Sequence, residues 1–208
     1  MKVQLINITP NAEKHIAEVA RVSSSRSDKQ SDYAGLINYL MKHKHWSPFE
    51  HAYATFEIDT SKAIGIQLIR HRSFTFQEFS QRYQNVNLLG DMFEPIELRK
   101  QCKDNRQSST ELLDSDDWPE LMEDVKAFLK RSNILYNKLI SSGVAREQAR
   151  MILPMCTKTK IHMTGSIRSW IHFLELRDDE HAQKEIQLVA KEVRSYLSKE
   201  LPIIFGND

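Results

Sequence analysis

A chain of 208 residues, 40% hydrophobic and 27% charged, has ordinary globular composition and is long enough for one sizeable core. Lysine and arginine number 29 against 28 acidic residues, so a net charge of +1 gives no footing for general nucleic-acid or membrane-surface binding. Cys102 and Cys156 match no metal or redox spacing, the opening stretch lacks an apolar leader, and no run approaches the roughly 18 apolar residues of a membrane helix, which together point to a reduced, cytoplasmic protein.

The opening "KVQLINIT" reads as a short strand, and Asn11 is placed to cap a helix through about Val22, with Ile16, Val19 and Ala20 on one face. "SSSRSDKQSD" reads as a polar loop. A second helix is expected from Tyr33 to about His45, its apolar face using Leu36, Ile37, Leu40 and Met41, before Pro48 forces a break. "HAYATFEID" alternates like a strand, with Ala52, Ala54, Phe56 and Ile58 on one side. Thr60 or Ser61 then caps a short helix over "KAIGIQLIRHR", in which Gln67, Arg70 and His71 share a face. "QEFSQRY" reads as extended.

From Asn85 to Asp117 the periodicity is weak, and about 91–117 reads as an excursion. Asp117 with Glu120 predicts a capped helix over 118 to about 140, with a core stripe of Leu121, Val125, Phe128, Leu129, Leu135 and Leu139, ended by Gly143. "REQARMIL" predicts a short helix stopped by Pro154, and "KTKIHMT" a strand. "SIRSWIHFLELR" and "HAQKEIQLVAKEVRSYLSKEL" are amphipathic helices, the second with Ile186, Val189, Ala190, Val193 and Leu197 in register. The sum is α+β: a helix-dominated single domain over residues 1–208 with a small, mostly antiparallel sheet.

Chemistry concentrates in "RHRSFTFQEFSQRY", residues 70–83, where cations and hydroxyls sit among three phenylalanines. Arg70, Arg72, Arg82, Arg150, Arg168 and Arg177 each lie beside apolar residues. A guanidinium there either neutralises a carboxylate or reads an anion through its planar fork, and the adjacent acids are too few to pair with all six. His43, His45 and His51 are close in sequence, but the break at Pro48 makes them diverge. Hydrogen bonding or a ligand contact therefore fits better than zinc, and no metal is expected. Ser80 lacks the glycines of a nucleophile elbow and reads as a hydrogen-bonding hydroxyl; Glu78 is either a ligand acceptor or an arginine's partner. No glycine loop for phosphate is present.

The stretch 70–83 closely resembles the RHR-x-x-S-x(4)-S-x-R signature of flavin-dependent thymidylate synthases, with Thr75 in place of the first serine and its hydroxyl retained. "RVS" at 21–23, "HKHWSPFEH" at 43–51, "GVAREQARMILP" at 143–154 and "LRDDEHAQKEIQ" at 176–187 agree in order and spacing, so the resemblance spans nearly the whole chain. It implies a homotetramer with active sites at subunit interfaces, each holding FAD. The implied reaction is reductive methylation of dUMP to dTMP, with methylenetetrahydrofolate as carbon donor and NADPH as reductant. Carried over, Ser23, Ser47, Arg70, His71, Arg72, Glu78 and Arg168 look like FAD contacts, and His45 falls near flavin and folate. Ser166 and His172 stand where the family commonly has asparagine beside FAD. Gln67, Glu78, Phe79, Ser80, Gln81, Arg82 and Arg150 match dUMP positions, and Arg177 matches the arginine that faces and polarises the pyrimidine. A non-catalytic nucleotide-binding protein on the same scaffold and a small RNA-binding protein are the alternatives, the latter opposed by the near-neutral charge.

Overall fold

The computed structural model describes residues 1–23, 33–113 and 119–206; the polar stretch 24–32 and the Asp117 side of the expected capping pair lie outside the described residues. In chain order the elements are β1 (Lys2–Ile8), α1 (Ala12–Ala20), α2 (Tyr33–Lys42), β2 (Tyr53–Ser61), α3 (Lys62–Leu68), β3 (Phe74–Glu78), β4 (Arg99–Gln101), β5 (Ser109–Leu112), α4 (Pro119–Ser141), α5 (Arg146–Ala149), β6 (Lys158–Ser166), α6 (Ile167–Arg177), α7 (Lys184–Glu200) and α8 (Pro202–Phe205). The class is the expected α+β, helix-dominated with small antiparallel sheets. The chain divides into two compact units, and β2, β3 and β6 each pass from one to the other.

One unit comprises Lys2–Ile58, Ile69–Gln77 and His162–Asp208. Its sheet runs in the order β1-β2-β6-β3. Alternation along β2 buries Ala54, Phe56 and Ile58 as the period-two pattern requires, and α7 buries Ile186, Val189, Ala190, Val193 and Leu197 as expected. Trp170 of α6 sits at the centre of the core, 4.9 Å from Phe56 and 4.7 Å from Phe74 between ring centroids, with its indole N–H donated to the Ala54 carbonyl at 3.1 Å.

Helix ends in this unit depart from the sequence reading. Asn11 does not cap α1 through its side chain; it lies in the left-handed region at φ 50, and the helix passes at Arg21 into a single 3-10 turn. The inward face of α1 is Ala12, Glu13, Ile16 and Ala17, while Val19 and Ala20 are half-buried. Glu13 is recruited for a different purpose: its Oε1 accepts the N–H groups of Ile203 and Ile204, satisfying the start of α8, which the sequence reading missed. Helix α2 stops before His45 because Lys44 adopts φ 57. The Lys44 N–H donates to Met41 O at 3.1 Å and the His45 N–H to Leu40 O at 2.9 Å, the paired bonds of a Schellman end.

The other unit comprises Asp59–Leu68, Glu78–Ile161 and Met1. Its core gathers Val86, Met92, Tyr136 and Ala149, with Phe93, Leu139, Ile140, Val144, Ile152 and Leu153 packed against them. The α4 stripe is corrected. Val125, Leu129 and Leu139 do turn inward, joined by Ser132 and Tyr136, but Leu121, Phe128 and Leu135 face out, Phe128 being 57% exposed. Two interleaved apolar rows were merged into one, because Ser132 marks the buried face and is polar; its hydroxyl donates to Ile152 O at 3.4 Å. Gly143, at φ 81, ends the helix as expected, with Val144 N–H bonded to Leu139 O. Within the expected excursion, β4 and β5 pair antiparallel as a two-stranded ribbon whose mostly exposed residues, polar apart from Leu112, carry no apolar alternation.

Two substitutions test this packing. Gly165 lies where a Cβ would overlap the Phe74 ring. Gly165→Ala is therefore expected to destabilise the protein by about 1–3 kcal/mol in chemical denaturation. Tyr136 is fully buried and its hydroxyl has no partner among the described residues, a situation that costs about 1–3 kcal/mol. Tyr136→Phe should raise the melting temperature, by about 2–4 °C for each kcal/mol recovered, read by calorimetry.

Candidate active site

The signature begins beyond the end of α3. That helix stops at Leu68, with the Ile64 N–H bonded to the Ser61 hydroxyl at its start. Gln67 is therefore helical and half-buried, whereas Arg70 and His71 follow in a turn, so the shared helical face expected of the three does not form.

His71 is the pivot of the first half. Only 9% exposed, its ring packs edge-on against Phe173 at 5.1 Å and Phe74 at 6.2 Å. The Arg177 Nε–H donates to His71 Nε2 at 2.9 Å. An accepting Nε2 places the ring proton on Nδ1, a tautomer assigned from this hydrogen bond. Burial, then the charges of Arg177 and His172, push the imidazole down to about 4, so it is neutral at physiological pH. Arg177 is itself pulled below its ordinary value by burial and by Arg70. Among the described residues, Arg70, Arg72 and Arg177 have no carboxylate partner. Uncompensated guanidiniums beside a neutral imidazole are the donor set that a phosphate or pyrophosphate ligand requires, and they fit FAD on that ground.

Arg168 and His172 lie one turn apart on α6 and line a cleft of about 410 Å³ with Trp46, Glu50, Ser73 and Glu175. Here the scarcity of acids fails as an argument, because Arg168 is paired with Glu50, and His172 approaches Glu175 at 3.8 Å. Ser166 does not line this cleft. It is buried as the N-cap of α6, accepting from Ser169 N–H at 3.3 Å and bonding the Ser169 hydroxyl at 3.1 Å. Ser47 opens the 3-10 turn Ser47–His51, Ser23 closes the turn Arg21–Ser23, and His45 stands 6.0 Å from the rings of Tyr39 and His43. No metal-binding cluster occurs among the described residues.

The second half of the signature belongs to the other unit. Strand β3 ends at Glu78; the Phe79 N–H donates to Lys160 O at 2.8 Å, and the chain then turns, with Ser80 O accepting from Tyr83 and Gln84 N–H. The expected extended run through Tyr83 is thus cut short. Among the described residues Glu78 pairs with no arginine: its Oε1 accepts from Lys62 Nζ at 2.8 Å and Thr159 Oγ1 at 2.7 Å. Gln81 is only 7% exposed, and its Nε2 is buried without a partner among the described residues. Arg82 reaches Glu147 at 3.3 Å across an exposed pair, whereas Arg150, half-buried after α5, has no carboxylate partner among the described residues. Lys62, Thr159, Glu50 and Glu147 were missed by sequence reading. Only Glu147 carried a signal, three residues before Arg150 on a short helix.

The chain as a whole is similar to known proteins. Residues 4–203 match the family model described as "Thymidylate synthase complementing protein". The chain is 41% identical over 212 residues to a probable flavin-dependent thymidylate synthase of Paramecium bursaria Chlorella virus 1, covering 98% of this chain and 97% of that protein. It is 39% identical over 189 residues to the flavin-dependent thymidylate synthase of Synechocystis sp., covering 91% and 86% respectively. Among solved structures, the UMP/dUMP methylase PolB from Streptomyces cacaoi, bound with 5-Br dUMP, superposes with a TM-score of 0.83 at 30% identity, over 99% of this chain and 93% of PolB. The signature at 70–83, the family match along nearly the whole length and these relatives agree: the chain belongs to the thymidylate synthase complementing protein family, that of the flavin-dependent thymidylate synthases.

Proposed function

We propose that this protein methylates dUMP to dTMP, with methylenetetrahydrofolate as one-carbon donor, FAD as bound cofactor and NADPH as reductant. The observation that carries the reading is the acid-free guanidinium set of Arg70, Arg72 and Arg177 beside neutral His71, in a chain of this family. When bound, FAD supplies the redox and one-carbon chemistry. Arg70, His71 and Arg72 hold its phosphates, with Ser23, His45, Ser47, Glu78, Arg168 and His172 as the remaining contacts, while Ser166 supports Arg168 and His172 as the N-cap of their helix.

The polypeptide orients and polarises. Because Arg177 uses Nε on His71, its two terminal nitrogens remain without a partner among the described residues and form a fork toward the pyrimidine. That fork stabilises negative charge developing on the ring as C5 becomes nucleophilic, an effect strengthened where water is excluded. Arg82 and Arg150 anchor the phosphate. The Arg82–Glu147 pair is exposed and worth roughly 0–1 kcal/mol, so a phosphate displaces it readily. Gln67, Glu78, Phe79, Ser80 and Gln81 complete the nucleotide pocket, Ser80 as a hydrogen bonder and the orphaned Gln81 amide as a donor awaiting an acceptor. The working assembly is a cytoplasmic homotetramer with its active sites at subunit interfaces. Leu121, Phe128 and Leu135, exposed and seven residues apart along one side of α4, offer an apolar face to a second copy.

Purified protein supplied with FAD, dUMP, methylenetetrahydrofolate and NADPH should form dTMP, and Arg177→Ala should lower kcat by about 10²–10³-fold. A wild-type protein that takes up no FAD and forms no dTMP would overturn the reading. A pH effect follows from His71. Its folded value near 4 lies below the unfolded value of 6.5, so its contribution to stability is complete above pH 6.5 and is lost as pH falls toward 4. His71→Gln, which keeps an acceptor for Arg177 without titrating, should show a smaller fall in melting temperature between pH 7 and pH 4.5 than wild type.

A further inference from the structure

We infer that Lys62 and Thr159 are positioning residues for the nucleotide, acting through Glu78: they seize one oxygen of its carboxylate and leave the other as an oriented acceptor for a hydroxyl or ring N–H of a uracil nucleotide. This rests on the dUMP reading above and assigns roles to two side chains outside the signature. Lys62 Nζ and Thr159 Oγ1 converge on the same Oε1, at 2.8 and 2.7 Å, from the first turn of α3 and from β6. Two donors from separate elements fix the plane of a carboxylate, where one would leave it free to swing. Glu78 Oε2 has no donor among the described residues.

The backbone is built for the same end. The Lys62 N–H donates to Thr157 O at 2.8 Å and the Ala63 N–H to Met155 O at 3.0 Å, tying the start of α3 to the segment that enters β6. The Phe79 N–H, next to Glu78, bonds Lys160 O at 2.8 Å. Gly65 lies against this group: a Cβ there would stand 3.2 Å from both Thr159 Cγ2 and Ile161 Cδ1, so the bare glycine lets the Thr159 side chain keep its place, while Glu78 Oε1 at 3.5 Å would be in ordinary contact. Side-chain exposures of 29% for Lys62 and 25% for Glu78 keep the pair shielded yet reachable. Charge matters as much as geometry. A lone carboxylate would repel a nucleotide monophosphate, and the Lys62 ammonium cancels that field while Glu78 keeps its acceptor.

The test uses FAD-loaded enzyme, with dUMP binding followed by calorimetry and dTMP formation by steady-state kinetics. Lys62→Met and Thr159→Val are each expected to raise the KM and Kd for dUMP about tenfold. Lys62→Arg and Thr159→Ser should recover most of the loss. With Glu78→Gln already present, Lys62→Met should add nothing further, because its effect passes through Glu78. Unchanged dUMP affinity in both variants overturns the inference, as does a loss that adds in full to that of Glu78→Gln. Should Lys62→Met fail to fold, the isosteric Thr159→Val carries the same measurement. An active wild type with wild-type-like variants sinks this inference alone, whereas a wild type that neither binds dUMP nor forms dTMP sinks the dUMP reading and this inference with it.

Discussion

Guanidinium groups repel one another, and the unit that carries Arg70 and Arg177 holds them close enough for the Arg70 charge to bear on Arg177, with no carboxylate partner for either among the described residues. Such a cluster cannot be kept by ion pairing. At Arg177 packing takes over that role: its Nε–H is tied to a side chain that accepts a hydrogen bond without adding negative charge, the neutral imidazole of His71. The imidazole in turn is neutral because it is buried against Phe74 and Phe173, whose rings meet Trp170 at 4.7 and 5.5 Å. Gly165 belongs to the same chain of causes, since the Phe74 ring lies over its bare Cα. An aromatic core thus supports a positive site that electrostatics alone would disperse.

The arginines fall into two physical classes. Arg70, Arg72, Arg150 and Arg177 stand without acids among the described residues and retain their full attraction for an anion. Arg82 and Arg168 are paired with Glu147 and Glu50, but both pairs are exposed and solvent-screened. An exposed pair keeps a long side chain extended at little energetic expense and yields to a phosphate, whose charged oxygens can engage both arms of the guanidinium fork. Pairing and ligand binding are therefore compatible roles for the same side chain, and the alternatives posed by the sequence were not exclusive.

Much of this was legible in the residues themselves. Alternation along Ala54, Phe56 and Ile58 and the heptad-like row of α7 are one-dimensional records of burial, and both read true. The signature at 70–83 carried the family because its hydroxyls and cations are fixed in spacing. What failed was long-range or geometric. Glu147 and Glu50 come to Arg82 and Arg168 from distant parts of the sequence, and Lys62 and Thr159 meet at Glu78 only after α3 and β6 are placed. The ends of α2 and α3 were overrun because a lysine took the left-handed position that glycine usually marks, and because Leu68 ends its helix before the signature without a breaker. On α4, a buried serine disguised the inward face.

Two buried polar atoms lack partners among the described residues, and their surroundings separate them. Tyr136 belongs to an apolar cluster with Val86, Met92 and Ala149, a setting in which a missing hydrogen bond is a plain loss. The Gln81 amide sits between Ser80 and Arg82, in the turn where the signature concentrates its phosphate-seeking groups. A buried donor left unmade costs about 1–3 kcal/mol, and a ligand oxygen delivered to it removes that penalty only in the complex. The same atom then works against a ligand that brings no acceptor, since binding would leave the donor buried and still unmet. Under the dUMP reading, an unmet bond inside the signature turn is thus a source of discrimination, whereas the one inside the apolar cluster of α4 has no ligand to meet it.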